Sequence, residues 1–122
     1  AGQAIGKYQS VSNRIADMKV RLETARAFLY KAAWRIDNEG TYAARQEISL
    51  IKFTVARVMQ QVLDRAIQTL GGWGLTDDTP LAYWWGHERG ARIYDGPDEV
   101  HKASVARRIL RGYGLELGSI GK

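Results

Sequence analysis

Between residues 11 and 36 the apolar side chains fall at Val11, Ile15, Met18, Leu22, Ala25, Leu29, Ala32 and Ile36, in gaps that alternate four and three. A strand cannot hold that pattern on one face, because its side chains alternate every two residues. A long helix with one apolar seam can. Arg14, Asp17, Lys19, Arg21, Glu23 and Arg26 lie between the seam positions and mark a side turned to water or to a partner. A second seam follows at Ile48, Ile51, Val55, Val58, Val62 and Ala66, in the same steps of three and four. Each seam needs another surface to bury it, so the chain must fold as packed helices.

Punctuation divides the rest. "DNEGT" (37–41) ends the first helix, with Gly40 as the left-handed residue past its end and Thr41 placed to cap the next. "QTLGGWG" (68–74) stops the second helix, since two glycines in succession break helical structure, and "WGLTDDTP" (73–80) reads as a loop. "PLAYWWGHERGARIY" (80–94) predicts a shorter helix, weakened by Gly86 and Gly90. A last helix is expected to begin at Pro97, where the missing N–H costs nothing, with Asp98 and Glu99 favoured at the positive end of its dipole. Val100, Ala103 and Ile109 are expected to face the core, "GYG" (112–114) to end the helix, and "LELGSIGK" (115–122) to fray.

The expected fold is all-α, a four-helix up-down bundle forming one domain over residues 1–122. There is no internal repeat and no linker. The first helix lacks a start signal, which predicts that it is truncated and that the chain is part of something larger.

Several function classes fall away. The 122 residues contain no cysteine, which removes disulfides and thiolate chemistry and fits a reducing compartment. No apolar run is long enough for a membrane span, and "AGQAIGKYQS" has neither the charged n-region nor the apolar core of a signal peptide. His87 and His101 have no acidic partner at ligand spacing, so no metal site is expected. The formal net charge of +5 is spread over single arginines, and "ARRILR" (106–111) suits a helix C-terminus as well as an anion. Trp73, Tyr83, Trp84, Trp85 and Tyr94 fill core or interface, or stack on nucleobases.

Asp95, in "RIYDGPDEVH" (92–101), reads two ways. An acid before Gly-Pro at a helix start is a turn or cap residue, and on spacing alone that reading leads. In a poorly hydrated cleft the same carboxylate would be a general base.

Two motifs bear on the choice. "QTLGGWG" resembles the Gln-x-x-Gly-Gly-x-Gly motif of the acyl-CoA dehydrogenases, and "RIYDGPDEVH" resembles their Arg-Ile-Tyr-Glu-Gly-Thr motif in an Asp-Gly-Pro variant. Gln68 and Asp95 stand 27 residues apart, a separation similar to the family's. "IGKYQSVSNRIADM" (5–18) and "VARRIL" (105–110) followed by "YG" resemble further family segments, so the likeness covers essentially the whole chain.

The resemblance implies the C-terminal helical domain of an FAD-dependent acyl-CoA dehydrogenase, with the N-terminal helical and β middle domains absent. Such enzymes oxidise an acyl-CoA to a trans-2-enoyl-CoA: a carboxylate removes the α-proton while the β-hydrogen leaves as hydride to flavin. By position, the resemblance makes Asp95 the catalytic base, where Glu is usual. It makes Gln68, Gly71 and Gly72 contacts to the FAD of a dimer mate, and Pro97 and Glu99 neighbours of the subunit's own FAD, where Thr and Gln are usual. Tyr94 and Gly96 fall on the substrate side. It also implies a homo-oligomer built as a dimer of dimers, an electron-transfer flavoprotein or similar acceptor, and no nucleic acid. The compartment implied is the cytoplasm of a bacterium, or the mitochondrion or peroxisome of a eukaryote. A family-like subunit without chemistry, within a heteromeric complex, is the alternative, and a basic nucleic-acid-binding module a more distant one.

Overall fold

The computed structural model describes residues 2–118. Four α-helices carry the chain: α1 (Gln9–Glu39), α2 (Arg45–Leu70), α3 (Leu81–Glu88) and α4 (Asp98–Gly112). Among the described residues there is no strand, and the all-α class with four helices stands as expected. No helix is long and apolar enough to cross a membrane.

The helix α2 is the axis of the fold, with α1, α3 and α4 packed against it. Arg35 bonds Glu47 and Arg21 bonds Gln61, so α1 and α2 run antiparallel. On the other side, Gln60 bonds the Trp85 carbonyl and Lys102 stands over the Phe53 ring. Thus α3 covers the second half of α2 and α4 the first half, and the two succeed each other along it.

Half of the first seam is used. Ala25 and Ala32 are buried and Val11 and Met18 partly so, against α2. Ile15, Leu22, Leu29 and Ile36, the alternate members, remain 52%, 42%, 44% and 37% exposed. The buried core is correspondingly small: Ala25, Ala32, Ala44, Ala56, Leu63 and Val105.

Helix ends differ from expectation in ways the backbone explains. Gly40 does end α1 with φ +84. Thr41 caps nothing: residues 41–44 form a turn closed by Ala44 N–H to Gly40 O, and α2 starts only at Arg45. The first helix begins inside the chain, at Gln9 after a 3-10 turn at Ile5–Lys7; its start was illegible because the Tyr8 side chain makes no capping bond. A 3-10 turn over Gly71–Leu75 takes the first part of the expected loop. Residues 89–92 tighten from α into 3-10 at the end of α3.

Pro97 is the N-cap of α4, not its first helical residue. The face α4 turns to α2 carries Asp98 and Val105, so Val100 and Ile109, expected in the core, lie off it and are exposed. Residues 115–118 carry no helix, and the part of the expected fraying beyond 118 lies outside the described residues.

Candidate functional site

The turn between α3 and α4 holds Asp95 in a conformation that needs support. Its φ is +53, and among the described residues no other non-glycine has a positive φ. Left-handed backbone is unfavourable for L-residues, least so for Asn and Asp. Gly96 follows with φ +91, and a Cβ there would stand 2.9 Å from His101 Nε2. The positive φ is what favours glycine at 96, since the tip of the His101 ring could swing aside from a Cβ, and this residue therefore shapes the turn.

Four side chains fix the turn. Lys52, from the first third of α2, donates to the carbonyls of Ala91 at 2.7 Å, Tyr94 at 2.6 Å and Gly96 at 2.7 Å. His101 Nε2 lies 3.1 Å from the Asp95 carbonyl; that oxygen can only accept, so Nε2 carries a proton. Arg92 Nε donates to Asp98 Oδ2 at 2.9 Å, and Asp98 is 1% exposed. Asp98 is therefore more than an acid favoured by the helix dipole, since it anchors the turn from within. Its Oδ1 has no partner among the described residues.

The remaining predicted residues are surface groups. Asp95, Tyr94, Pro97 and Glu99 are exposed around the turn, and Lys52 Nζ lies 5.5 Å from the Tyr94 ring centre. Gln68, Gly71 and Gly72 are exposed at the far end of α2. From Lys52 to Gln68 is 16 helical residues, about 24 Å along the axis. The structure therefore gathers Tyr94, Asp95, Gly96, Pro97 and Glu99 in one place and keeps Gln68, Gly71 and Gly72 in another.

The glycines of "GGWG" have different reasons. A Cβ on Gly74 would meet Ile67 O at 2.7 Å and Ile67 Cα at 2.9 Å, so this glycine allows the 3-10 turn to lie against α2. Gly71 has φ +62. At Gly72 a Cβ would meet nothing within 4 Å, and no contact inside the chain explains its lack of a side chain. Gly72 therefore leaves open backbone beside the exposed Gln68 amide.

Two surface clefts, of about 330 and 420 Å³, lie elsewhere. The first, between α1 and α2, is lined by Arg14, Arg21 and Arg65 with Asp17 and Asp64. The second surrounds Glu47 with Arg35, Arg45, Arg108 and Arg111. Burial alone would raise the Glu47 carboxyl, but the Arg35 hydrogen bond, a backbone hydrogen bond and the attraction of Arg35 and Lys31 hold it below its ordinary value. Neither cleft contains a residue of the Asp95 turn. This chain presents Asp95 without enclosing it.

Sequence reasoning missed Lys52, His101, Arg92 and the structural part of Asp98. Lys52 had left a signal: it is a cation inside "ISLIKFTV", the most apolar stretch of α2.

A profile of the family described as "Acyl-CoA dehydrogenase, C-terminal domain" matches residues 1–110. Over 109 residues the chain is 44% identical to "Probable acyl-CoA dehydrogenase FadE2" of Mycobacterium tuberculosis, covering 89% of this chain and 27% of that protein. Among solved structures, butyryl-CoA dehydrogenase from Megasphaera elsdenii is 32% identical with a TM-score of 0.82, over 90% of this chain and 28% of that one. PigA in its FAD complex is 38% identical with a TM-score of 0.82, over 91% and 29%. The chain thus spans little more than a quarter of the length of these relatives.

Proposed function

The chain belongs to the acyl-CoA dehydrogenase family, whose C-terminal domain it matches, and from that premise we propose that it is the C-terminal domain of an FAD-dependent acyl-CoA dehydrogenase with Asp95 as its general base. The observation that carries the reading is the Asp95 turn. Its backbone is tied by Lys52, His101 and the Arg92–Asp98 pair, while its carboxylate is left facing outward. Rigid backbone with a free carboxylate is what proton abstraction at a defined point requires.

In this reading the carboxylate of Asp95 removes the α-proton of an acyl-CoA thioester, and Tyr94 and Gly96 line the acyl side. Bound FAD supplies the acceptor for the hydride that leaves the β-carbon. Because Asp95 is exposed on this chain, the other domains complete the dry cleft a base of this kind needs. Aspartate is one methylene shorter than glutamate, a retreat of about 1.5 Å, so the substrate sits correspondingly closer to the turn.

Pro97 and Glu99 stand beside Asp95 and would border the flavin of the same subunit. Gln68, about 24 Å along α2 from the Lys52 that holds the Asp95 turn, and Gly71 and Gly72 in the 3-10 turn beyond it, would hold the adenosine-diphosphate part of a second flavin, in a dimer mate. That separation supports two half-sites on one domain. The uncovered seam of Ile15, Leu22, Leu29 and Ile36 supports burial against other domains or subunits, as in a dimer of dimers. Electrons would pass to an electron-transfer flavoprotein or similar acceptor, in the bacterial cytoplasm or a eukaryotic mitochondrion or peroxisome.

The test is direct. The intact protein should purify yellow with FAD, and an acyl-CoA should bleach it without oxygen as the enoyl-CoA forms. A flavin that no acyl-CoA of any chain length reduces would sink the proposed activity.

A further inference from the structure

We infer that Lys52 is the positioning residue of the site, a lysine on α2 that aims the Asp95 carboxylate by fixing the peptide backbone on its N-terminal side and beyond Gly96. The inference rests on the reading of Asp95 as the base, and it adds the group that makes the base effective.

The geometry is particular. An ammonium has three donors, and Lys52 places all three on carbonyls of one turn: Ala91, Tyr94 and Gly96, each within 2.7 Å. The Tyr94 carbonyl belongs to the peptide plane that precedes the Asp95 Cα. The Asp95 carbonyl, in the plane that follows it, is held by His101 at 3.1 Å. One plane is set by Lys52 and the other by His101, so both backbone dihedrals of Asp95 are fixed, φ at the unfavourable value of +53. A strained residue persists only where its surroundings over-determine it. What stays free is the rotation of the carboxylate about its own two side-chain bonds.

Satisfying these three carbonyls stabilises the turn, and where the bonds fall, on either side of Asp95, is what makes them a device for aiming it. An apolar residue here would leave the carbonyls of Ala91, Tyr94 and Gly96 without this donor. Charge-assisted bonds to carbonyls are short and directional, and they specify where a backbone lies more tightly than packing does. Arginine would not substitute, because its planar fork spreads donors that must here converge on one point.

Four forms of the intact flavoprotein test the inference: wild type, Lys52→Met, Asp95→Asn and the double variant. Flavin content and the affinity for a non-reducible acyl-CoA analogue report folding and binding, and the limiting rate of anaerobic flavin reduction reports chemistry. Lys52→Met should keep both binding measures within about twofold while the limiting rate falls on the order of ten- to a hundredfold. In the Asp95→Asn background the same change should cost nothing further, because the group it aims is gone. A wild-type limiting rate in Lys52→Met, or losses that multiply in the double variant, would overturn the positioning role and leave Asp95 as the base. A wild-type rate in Asp95→Asn would instead remove the base itself, and the inference with it. Should Lys52→Met hold no flavin, Lys52→Arg is read by the same criteria, with loss of rate expected and an unchanged rate overturning the role.

Discussion

Arg92 and Asp98 close the Asp95 turn at its base, Nε to Oδ2 at 2.9 Å, with the Asp98 side chain 2% exposed and the Arg92 side chain 31% exposed. The pair brackets Asp95 in sequence and joins the end of α3 to the first residue of α4. Because Asp98 Oδ1 lacks a partner among the described residues, Arg92 is the one described side chain bonded to this buried charge.

Arg92→Leu should therefore destabilise the domain by about 2 kcal/mol, below the range for fully buried pairs because Arg92 reaches water. Urea unfolding of the 122-residue chain measures it. A midpoint equal to wild type would show that the pair contributes nothing.

The glycines of "GGWG" should separate folding from flavin binding. Gly74→Ala forces a Cβ into the Ile67 backbone and should cost about 2 kcal/mol of stability. Gly72→Ala meets nothing on this chain, so stability should stay within about 0.5 kcal/mol while the FAD content of the intact protein falls. Equal effects of the two on stability would contradict this division.

The Arg35–Glu47 pair gives the fold an acid limit. The folded-state pKa of Glu47 is lowered, so its contribution is fully present above the unfolded glutamate value and is lost as the pH falls through the folded one. Thermal unfolding scans should show wild type losing stability below the ordinary glutamate range more steeply than Glu47→Gln. Parallel pH profiles would exclude the pair as a source of that loss.

Exposed seam residues should govern association more than folding. Leu22→Gln with Leu29→Gln should leave the unfolding midpoint of the chain nearly unchanged and reduce self-association in sedimentation velocity. A large loss of stability would show that this face is already covered.

The helices were legible because a three-and-four seam has one solution, and Gly40 marked the first stop as expected. Two features were hidden for a physical reason. A seam states that a helix has a partner, but not whether the partner lies on the same chain, so Val11 and Met18 could not be told from Ile15 and Leu22. Val100 and Ile109 were misplaced for the same cause: which face of α4 meets α2 is set by Asp98 and Val105, through tertiary contact. At the site, Asp95 could be located by motif, but its left-handed backbone and the Lys52 bonds to its turn connect residues about forty positions apart. That backbone offers a second reason for aspartate over glutamate, since Asp tolerates positive φ better than most residues.

The same property makes asparagine the clean probe of the base. Asp95→Asn keeps the left-handed preference and should match wild type in stability, whereas Asp95→Ala should lose about 1 kcal/mol. The decisive measurement is the single-turnover rate at which a saturating acyl-CoA reduces the flavin of intact Asp95→Asn, compared with wild type at equal flavin content. If Asp95 takes the α-proton, the rate falls by at least about a hundredfold. A rate equal to wild type would contradict the account and leave Asp95 as a turn residue alone.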